Sequence, residues 1–396
     1  MRAARVERAA LTGTGLALLL ALAHFANDAF TNVLPVFLPI LQVRLGVGEV
    51  VLATFVAVIS ISANVMQAFV GGLADHWGLR RSAALGLIVG SALMSFVAVA
   101  PSVVSLLLIL LIGGLGSATF HPAAASMAAA SGARKSLAVG LFTAGGPLGV
   151  ALMPIVVLAI IRGAGPQYVP YLALFGTAVG LLLLYLAPKR ARPLTSRRGK
   201  VFDATLFAGP VGLLALAGLF RAMAFISFIN AVPLYLATVR GFAPDAQVIG
   251  FTLGLFSGAG AIGGLIAGLL EPRVGRRRLV VGAMLLALPL MAAVLFVAPG
   301  SLLYYVLVAL AGFSSNSPIP LLVVSAQELA PHAVGAASGM LMGLTWGTAG
   351  VLYIGFGALQ QAVGLTPAML LGFAFLLPGG WLAGSVLKRN ASLLSS

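Results

Sequence analysis

The 396-residue chain has no cysteine and very little charge, and each absence narrows what it can be. Without a thiol there is no disulfide, no thiolate-held metal and no cysteine nucleophile. Charged residues make up 8% of the chain, against roughly 25% in a soluble globular protein, so the chain belongs in a bilayer. The alternating segments of about 10 residues that mark a membrane barrel are missing as well. Most loops are only a few residues long, which leaves no room for a soluble domain. What fills the chain instead is apolar runs, each near the roughly 20 residues that a spanning helix needs. Twelve spans are expected, at 13–41, 49–74, 82–100, 103–130, 137–161, 167–187, 205–237, 247–270, 279–297, 301–327, 334–361 and 366–387.

The last six runs repeat the first six at a spacing of about 198 residues. Pro35 lines up with Pro233, Asn32 with Asn230, Pro122 with Pro320, Gly145 with Gly343 and Gly149 with Gly347. Duplication of this kind in an all-helical membrane protein points to a transporter built from two similar halves, with its site between them. The expected architecture is an all-α polytopic membrane protein with 12 transmembrane helices in two pseudo-symmetric six-helix halves. Residues 1–187 form the first half, and 205–396 form the second with a short tail. The polar stretch 188–204 (PKRARPLTSRRGKVFDA) is the linker.

A net charge of +15 would suggest nucleic acid in a soluble protein, but its placement reads as topology. Arg2, Arg5 and Arg8 precede the first run, and Arg80 and Arg81 follow the second. Arg134 and Lys135 follow the fourth, the linker's bases the sixth, Arg273 and Arg276 to Arg278 the eighth, and Lys388 and Arg389 the twelfth. The opposite side carries Arg44, Arg162 and Arg240. The positive-inside rule then puts both termini in the cytoplasm. Arg2 to Arg8 ahead of an apolar run also has the look of a signal peptide. The run continues to Leu41, however, and has a repeat partner near 206–237, so it is read as a span. Abundant Ala, Gly and Arg with four Lys suggests a bacterial inner membrane.

Ionisable residues inside the spans are expensive and mark function by default. They are His24 and Asp28 in the first, His121 in the fourth and Arg221 in the seventh. His24 and Asp28, four apart, share a helix face about 6 Å from each other. A carboxylate beside an imidazole can take and release a proton near neutral pH, so the two are the expected proton-coupling pair. His121 lies at about the same depth as His24, roughly 15 Å from the cytoplasmic ends of their helices at 1.5 Å per residue. Arg221 cannot shed its charge. It would either bind an anionic substrate or neutralise Asp28. With His121, the amides Asn27, Asn32, Asn230 and Asn316 supply further candidate substrate contacts. Small residues spaced by four, at Gly260, Gly264 and Gly268 and from Gly335 to Gly347, allow close helix packing.

After the second span comes Gly71-Gly72-Leu73-Ala74-Asp75-His76-Trp77-Gly78-Leu79-Arg80-Arg81. It resembles the loop signature of the major facilitator superfamily, with His76 where Arg is usual. A degenerate copy runs from Gly268 to Arg277, with Glu271 and Pro272 displaced from the pattern, and is expected to serve topology alone. The resemblance implies that the first, fourth, seventh and tenth helices line a central cavity. It also implies that Asp75, Gly78, Arg80 and Arg81 latch the cytoplasmic side, Asp75 facing the positive end of a neighbouring helix. Gly145, Gly146, Pro147 and Gly149 resemble the Gly-Pro motif of superfamily antiporters and are expected to pack against the opposite half. More narrowly, His24-Phe25-Ala26-Asn27-Asp28 and Gly114 to Pro122 are similar to the fosmidomycin-resistance family, whose members are proton-driven drug exporters. The likeness is clearest over residues 20–150. Ala123 and Ser126 stand where that family carries an acid and a base, so the substrate is the least secure part of the likeness.

The combined expectation is a proton-coupled exporter of a small organic compound, a drug or phosphonate-like anion, working by alternating access. It would act as a monomer in the bilayer, driven by the proton gradient, with no cofactor, no metal and no nucleic acid. The alternative is a proton-coupled symporter importing an organic anion through the same residues. A channel or lipid scramblase is a more distant reading. A membrane hydrolase is disfavoured: Ser117, His121 and Asp28 have the residue types of a triad, but no Gly-x-Ser-x-Gly turn is present.

Overall fold

In hydrocarbon every backbone N–H and C=O must be satisfied within its own segment, which makes each apolar run a helix. The computed structural model describes residues 11–70, 77–132, 135–189 and 204–393, and among these all regular structure is helical. The membrane helices are α1 (Gly13–Leu45), α2 (Glu49–Val65, continued by Gln67–Val70), α3 (Leu79–Val99), α4 (Val103–Ala129), α5 (Leu137–Gly163) and α6 (Pro166–Leu186). The rest are α7 (Pro210–Val239), α8 (Gln247–Val274), α9 (Arg276–Val294), α10 (Leu302–Leu329), α11 (Val334–Val363) and α12 (Leu365–Arg389). All except α2 are long and apolar enough to cross a membrane. The end of the second expected span, Asp75 with it, lies outside the described residues, as does nearly all of the expected linker. The seventh helix starts at Pro210 rather than 205, because a short 3₁₀ turn, Ala204–Ala208, comes first.

Two helices are interrupted near their middles. α1 breaks after Thr31 and resumes at Leu34, with Pro35 in its new first turn. α10 breaks at Ser317, just before Pro318. Three helices carry a wide π turn: Ile61–Val65 in α2, Tyr235–Val239 in α7 and Met340–Leu344 in α11. The turns of α2 and α11 touch each other.

α1 lies along α5, and α3 packs on α4 and α6. In the other bundle α7 packs on α11 and α12, α8 on α10, and α9 on α10 and α12. The bundles meet along α2 with α11 and along α5 with α8. Small residues allow that approach. A Cβ on Gly250 would fall 2.9 Å from the Pro154 carbonyl, and one on Gly357 2.8 Å from that of Glu49. These contacts lie at the ends away from the Lys- and Arg-rich loops. At the basic ends, Cβ positions at Gly140, Gly268, Gly335 and Gly339 have nothing within 4 Å. The closest backbone approaches between the bundles thus fall at the end away from the basic loops, and the π turns of α2 and α11 bring them together again nearer the basic end.

Candidate functional site

The site begins where α1 and α5 come closest. Gly145 and Gly149 of α5 press on the α1 backbone at Ala21 and Phe25, and between them Gly146 faces the side chains of α1. A Cβ there would stand 2.6 Å from His24 Nε2 and against the Asp28 carboxylate. For Gly145, Gly146 and Gly149 this corrects the expectation that they pack, with Pro147, on the opposite half. The glycines bind α5 to α1 of their own bundle, and the contact between halves falls one to two turns later, where Ala151, Pro154 and Ile155 meet Gly250 and Gly254. Small-residue spacing shows that a helix comes close, not which helix.

The close approach lets His24 donate Nδ1–H to the Phe142 carbonyl of α5 at 2.7 Å, with its ring stacked on the Phe142 ring at 4.3 Å. His24 Nε2 is then 3.2 Å from Asp28 Oδ2. From α4, His121 brings Nε2 to 3.0 Å from Asp28 Oδ1. The Nδ1 of His121 lies 3.0 Å from the Ser117 carbonyl and 3.3 Å from the Ser117 hydroxyl. Asn27 donates to both Asp28 Oδ1 and Ser117 Oγ, each at 3.0 Å. Asp28 therefore sits between two imidazoles and an amide, every one of which can be a donor. Its side chain is 16% exposed and that of His121 28%, so the cluster is reached from the His121 side.

His121 was expected among the substrate contacts; the structure puts it on Asp28, beside His24. The three side chains offer one ligand atom each within 4.8 Å, the residue types of a metal site. Their N···O separations are those of hydrogen bonds, which a proton between each pair accounts for. Ser117 is 1% exposed and its hydroxyl accepts from Asn27, so it supports the cluster and is not placed as a nucleophile.

In the other bundle, Arg221 on α7 is 2% exposed. Its guanidinium lies 4.8 Å over the Trp346 ring and 6.0 Å from that of Phe225, and donates to the Ser315 carbonyl at 3.4 Å. Among the described residues no carboxylate lies within ion-pair distance of it. Asp28 is paired with histidines instead, and no ion pair joins it to Arg221 in this structure. Trp346 was not anticipated, although tryptophan inside a span is uncommon in a chain with three.

The other expected amides do not converge on the site. Asn32 donates to the Asp28 carbonyl at 3.1 Å, Asn230 to that of Ile226 at 2.9 Å and Asn316 to that of Gly312 at 3.4 Å. Each satisfies itself on its own helix, four residues back, the nearest acceptor in an apolar setting. Asn230 is buried and Asn316 packs on Gly260; Asn32 alone of the three is exposed.

On the basic face, Gly78 caps α3 with φ +84°, a conformation that favours glycine. Arg80 reaches the Ala187 carbonyl at the end of α6 at 3.5 Å. A polar pocket of about 410 Å³ lies there between Trp77, Gly78, Arg80, Arg81 and Lys189. The second copy of the loop, expected to serve topology alone, does more. Arg276 at the start of α9 ion-pairs with Glu271 of α8 and Glu328 of α10 and donates to Ser325 at 3.2 Å. Glu328 was not foreseen, since nothing in the spacing links it to residues some fifty positions earlier.

Residues 20–353 match the family model of the Major Facilitator Superfamily. The chain is 28% identical to the uncharacterized MFS-type transporter YfnC of Bacillus subtilis (strain 168), over 94% of this chain and 95% of that one. It is 25% identical to the fosmidomycin resistance protein of Escherichia coli (strain K12), over 86% of this chain and 85% of that one. Among solved structures, a bacterial homologue of the human lysosomal transporter Spinster, inward-facing and unoccupied, superposes with a TM-score of 0.75 at 16% identity, covering 96% of this chain and 98% of that one. Twelve apolar helices in two bundles, with the family match across both, make the chain a membrane transporter and not an enzyme: it belongs to the Major Facilitator Superfamily.

Proposed function

We propose that the chain is a proton-coupled exporter of a small organic anion, working by alternating access. The observation that carries this reading is the split of charge between the bundles. Asp28 is held by two histidines in one, and an acid-free Arg221 is buried in the other. A buried cation without a counter-ion is costly, and an anionic substrate supplies that counter-ion. Protons on the histidine–carboxylate cluster are then the ions whose gradient drives the exchange. Similarity to a fosmidomycin resistance protein supports export of a drug-like or phosphonate-like anion. The basic loops support a cytoplasmic placement of both termini in a bacterial inner membrane.

The test is proton movement in proteoliposomes that enclose a pH dye, with fosmidomycin added to wild type and to Asp28→Asn. Drug-evoked flux in wild type that Asp28→Asn abolishes is the expected result, and flux opposite to the drug marks exchange. A folded wild type that moves the drug with no proton flux removes the coupling assignment. One that moves protons in the same direction as the drug replaces export with symport.

A further inference from the structure

Resting on the proton-coupled reading, we infer that His121 is a second proton carrier and that the cluster exchanges two protons per cycle. The argument is a count of donors. A carbonyl oxygen only accepts, so the Phe142 and Ser117 carbonyls, at 2.7 and 3.0 Å, take a hydrogen from Nδ1 of His24 and of His121 respectively. At His121 that shorter contact is favoured over the 3.3 Å one in which the Ser117 hydroxyl would donate to the same nitrogen. A neutral imidazole with its hydrogen on Nδ1 has a bare lone pair on Nε2. Both Nε2 atoms point at oxygens of one carboxylate, at 3.2 and 3.0 Å. Two lone pairs at that distance repel unless a proton lies between them, whichever atom owns it. Each contact therefore holds one proton, and the pair holds two.

The third donor onto the carboxylate, the Asn27 amide, is fixed and cannot leave. Filled, the cluster is one carboxylate and two imidazoliums, net +1; emptied, it is −1 with both Nδ1–H bonds intact. Each proton departs from an N–H···O contact and leaves its electron pair on the donor atom, so no bond between heavy atoms changes. Among the described residues no other ionised group is bonded to the cluster. Beyond these three residues, α1 from Gly13 to Thr31 and α4 contain no acid or base. The part of α5 facing the cluster adds a carbonyl and a bare glycine. α3 beyond Arg81 carries no acid or base, and α6, which also packs on α1, has no titratable side chain besides the phenols of Tyr168, Tyr171 and Tyr185. Emptying both contacts would turn like poles toward each other across α1 and α4 and push the His121-bearing helix off Asp28, which ties proton loss to movement of α4.

The chain has four histidines, which makes ¹⁵N-histidine NMR of the protein in nanodiscs a direct test, assigned with His24→Gln and His121→Gln. As the pH is raised, both rings are expected to pass from imidazolium to the neutral Nδ1–H form. A ring that stays neutral throughout, or that becomes neutral with its hydrogen on Nε2, overturns the inference. In the proteoliposome assay the expected ratio is two protons per fosmidomycin, falling to one in His121→Gln, whose amide can donate in the same contact but cannot release a proton. A wild-type ratio of one overturns the two-proton count while leaving proton coupling standing. Two titrating rings in a carrier that moves no protons with fosmidomycin would keep the count and remove the coupling.

Discussion

Gly146 shows how a residue with no side chain can matter as much as the acid it faces. Gly146→Ala changes no charge, yet its methyl would occupy the space of Asp28 Oδ2 and His24 Nε2. Drug-evoked proton flux should fall as far as in Asp28→Asn while the protein still purifies as a monodisperse species. Gly149→Ala meets backbone instead, with a Cβ 2.9 Å from the Ala29 nitrogen. It should cost about 1–3 kcal/mol of stability as overpacking, read as a lower melting temperature in detergent. For Arg221, replacement by Ala removes a buried charge-assisted partner worth about 2–3 kcal/mol, or roughly 30- to 140-fold in affinity for an organic anion. Arg221→Lys keeps the charge but loses the planar stack on Trp346 and should recover only part of that.

The helices themselves were legible because hydrocarbon leaves a backbone no other choice, and the twelve runs agree with the observed helices to within a few residues at most ends. The His24, Asp28 and His121 cluster was legible for a related reason: ionisable groups inside spans are rare enough to stand out. The partners of that cluster were not, since Phe142 contributes a carbonyl and Gly146 an absence, and neither has a signature in residue type. The Arg276 staple was hidden differently. Glu271 and Glu328 sit at helix ends, where charge is ordinary, and only the packing of α8, α9 and α10 brings them together. Because this site is partly exposed, Glu328→Gln should cost about 1 kcal/mol or less, seen as a melting shift of a few degrees at most. The same change in 1 M salt should produce a smaller shift, as screening predicts.

At the scale of the whole molecule, the lack of native cysteine makes the solvent-reached end of the carrier simple to map. Single cysteines at Gly268 and Gly339, where nothing lies within 4 Å, should react quickly with a membrane-impermeant maleimide applied from the basic face. One at Ala53, which is 1% exposed and packs on Gly357, should resist it. The reverse pattern would place the opening at the other end. The unpaired Arg221 then gains an electrical meaning. A permanent positive charge fixed in the moving wall of a carrier sits within the membrane's voltage drop, and one charge crossing all of it exchanges about 2.3 kcal/mol per 100 mV. Whatever fraction Arg221 traverses when empty, an anion bound to it cancels. The charge of the histidine–carboxylate cluster adds to both strokes, so the difference between wild type and Arg221→Ala under a potassium-diffusion potential should be confined to the unloaded return, making this arginine a voltmeter that the cargo switches off.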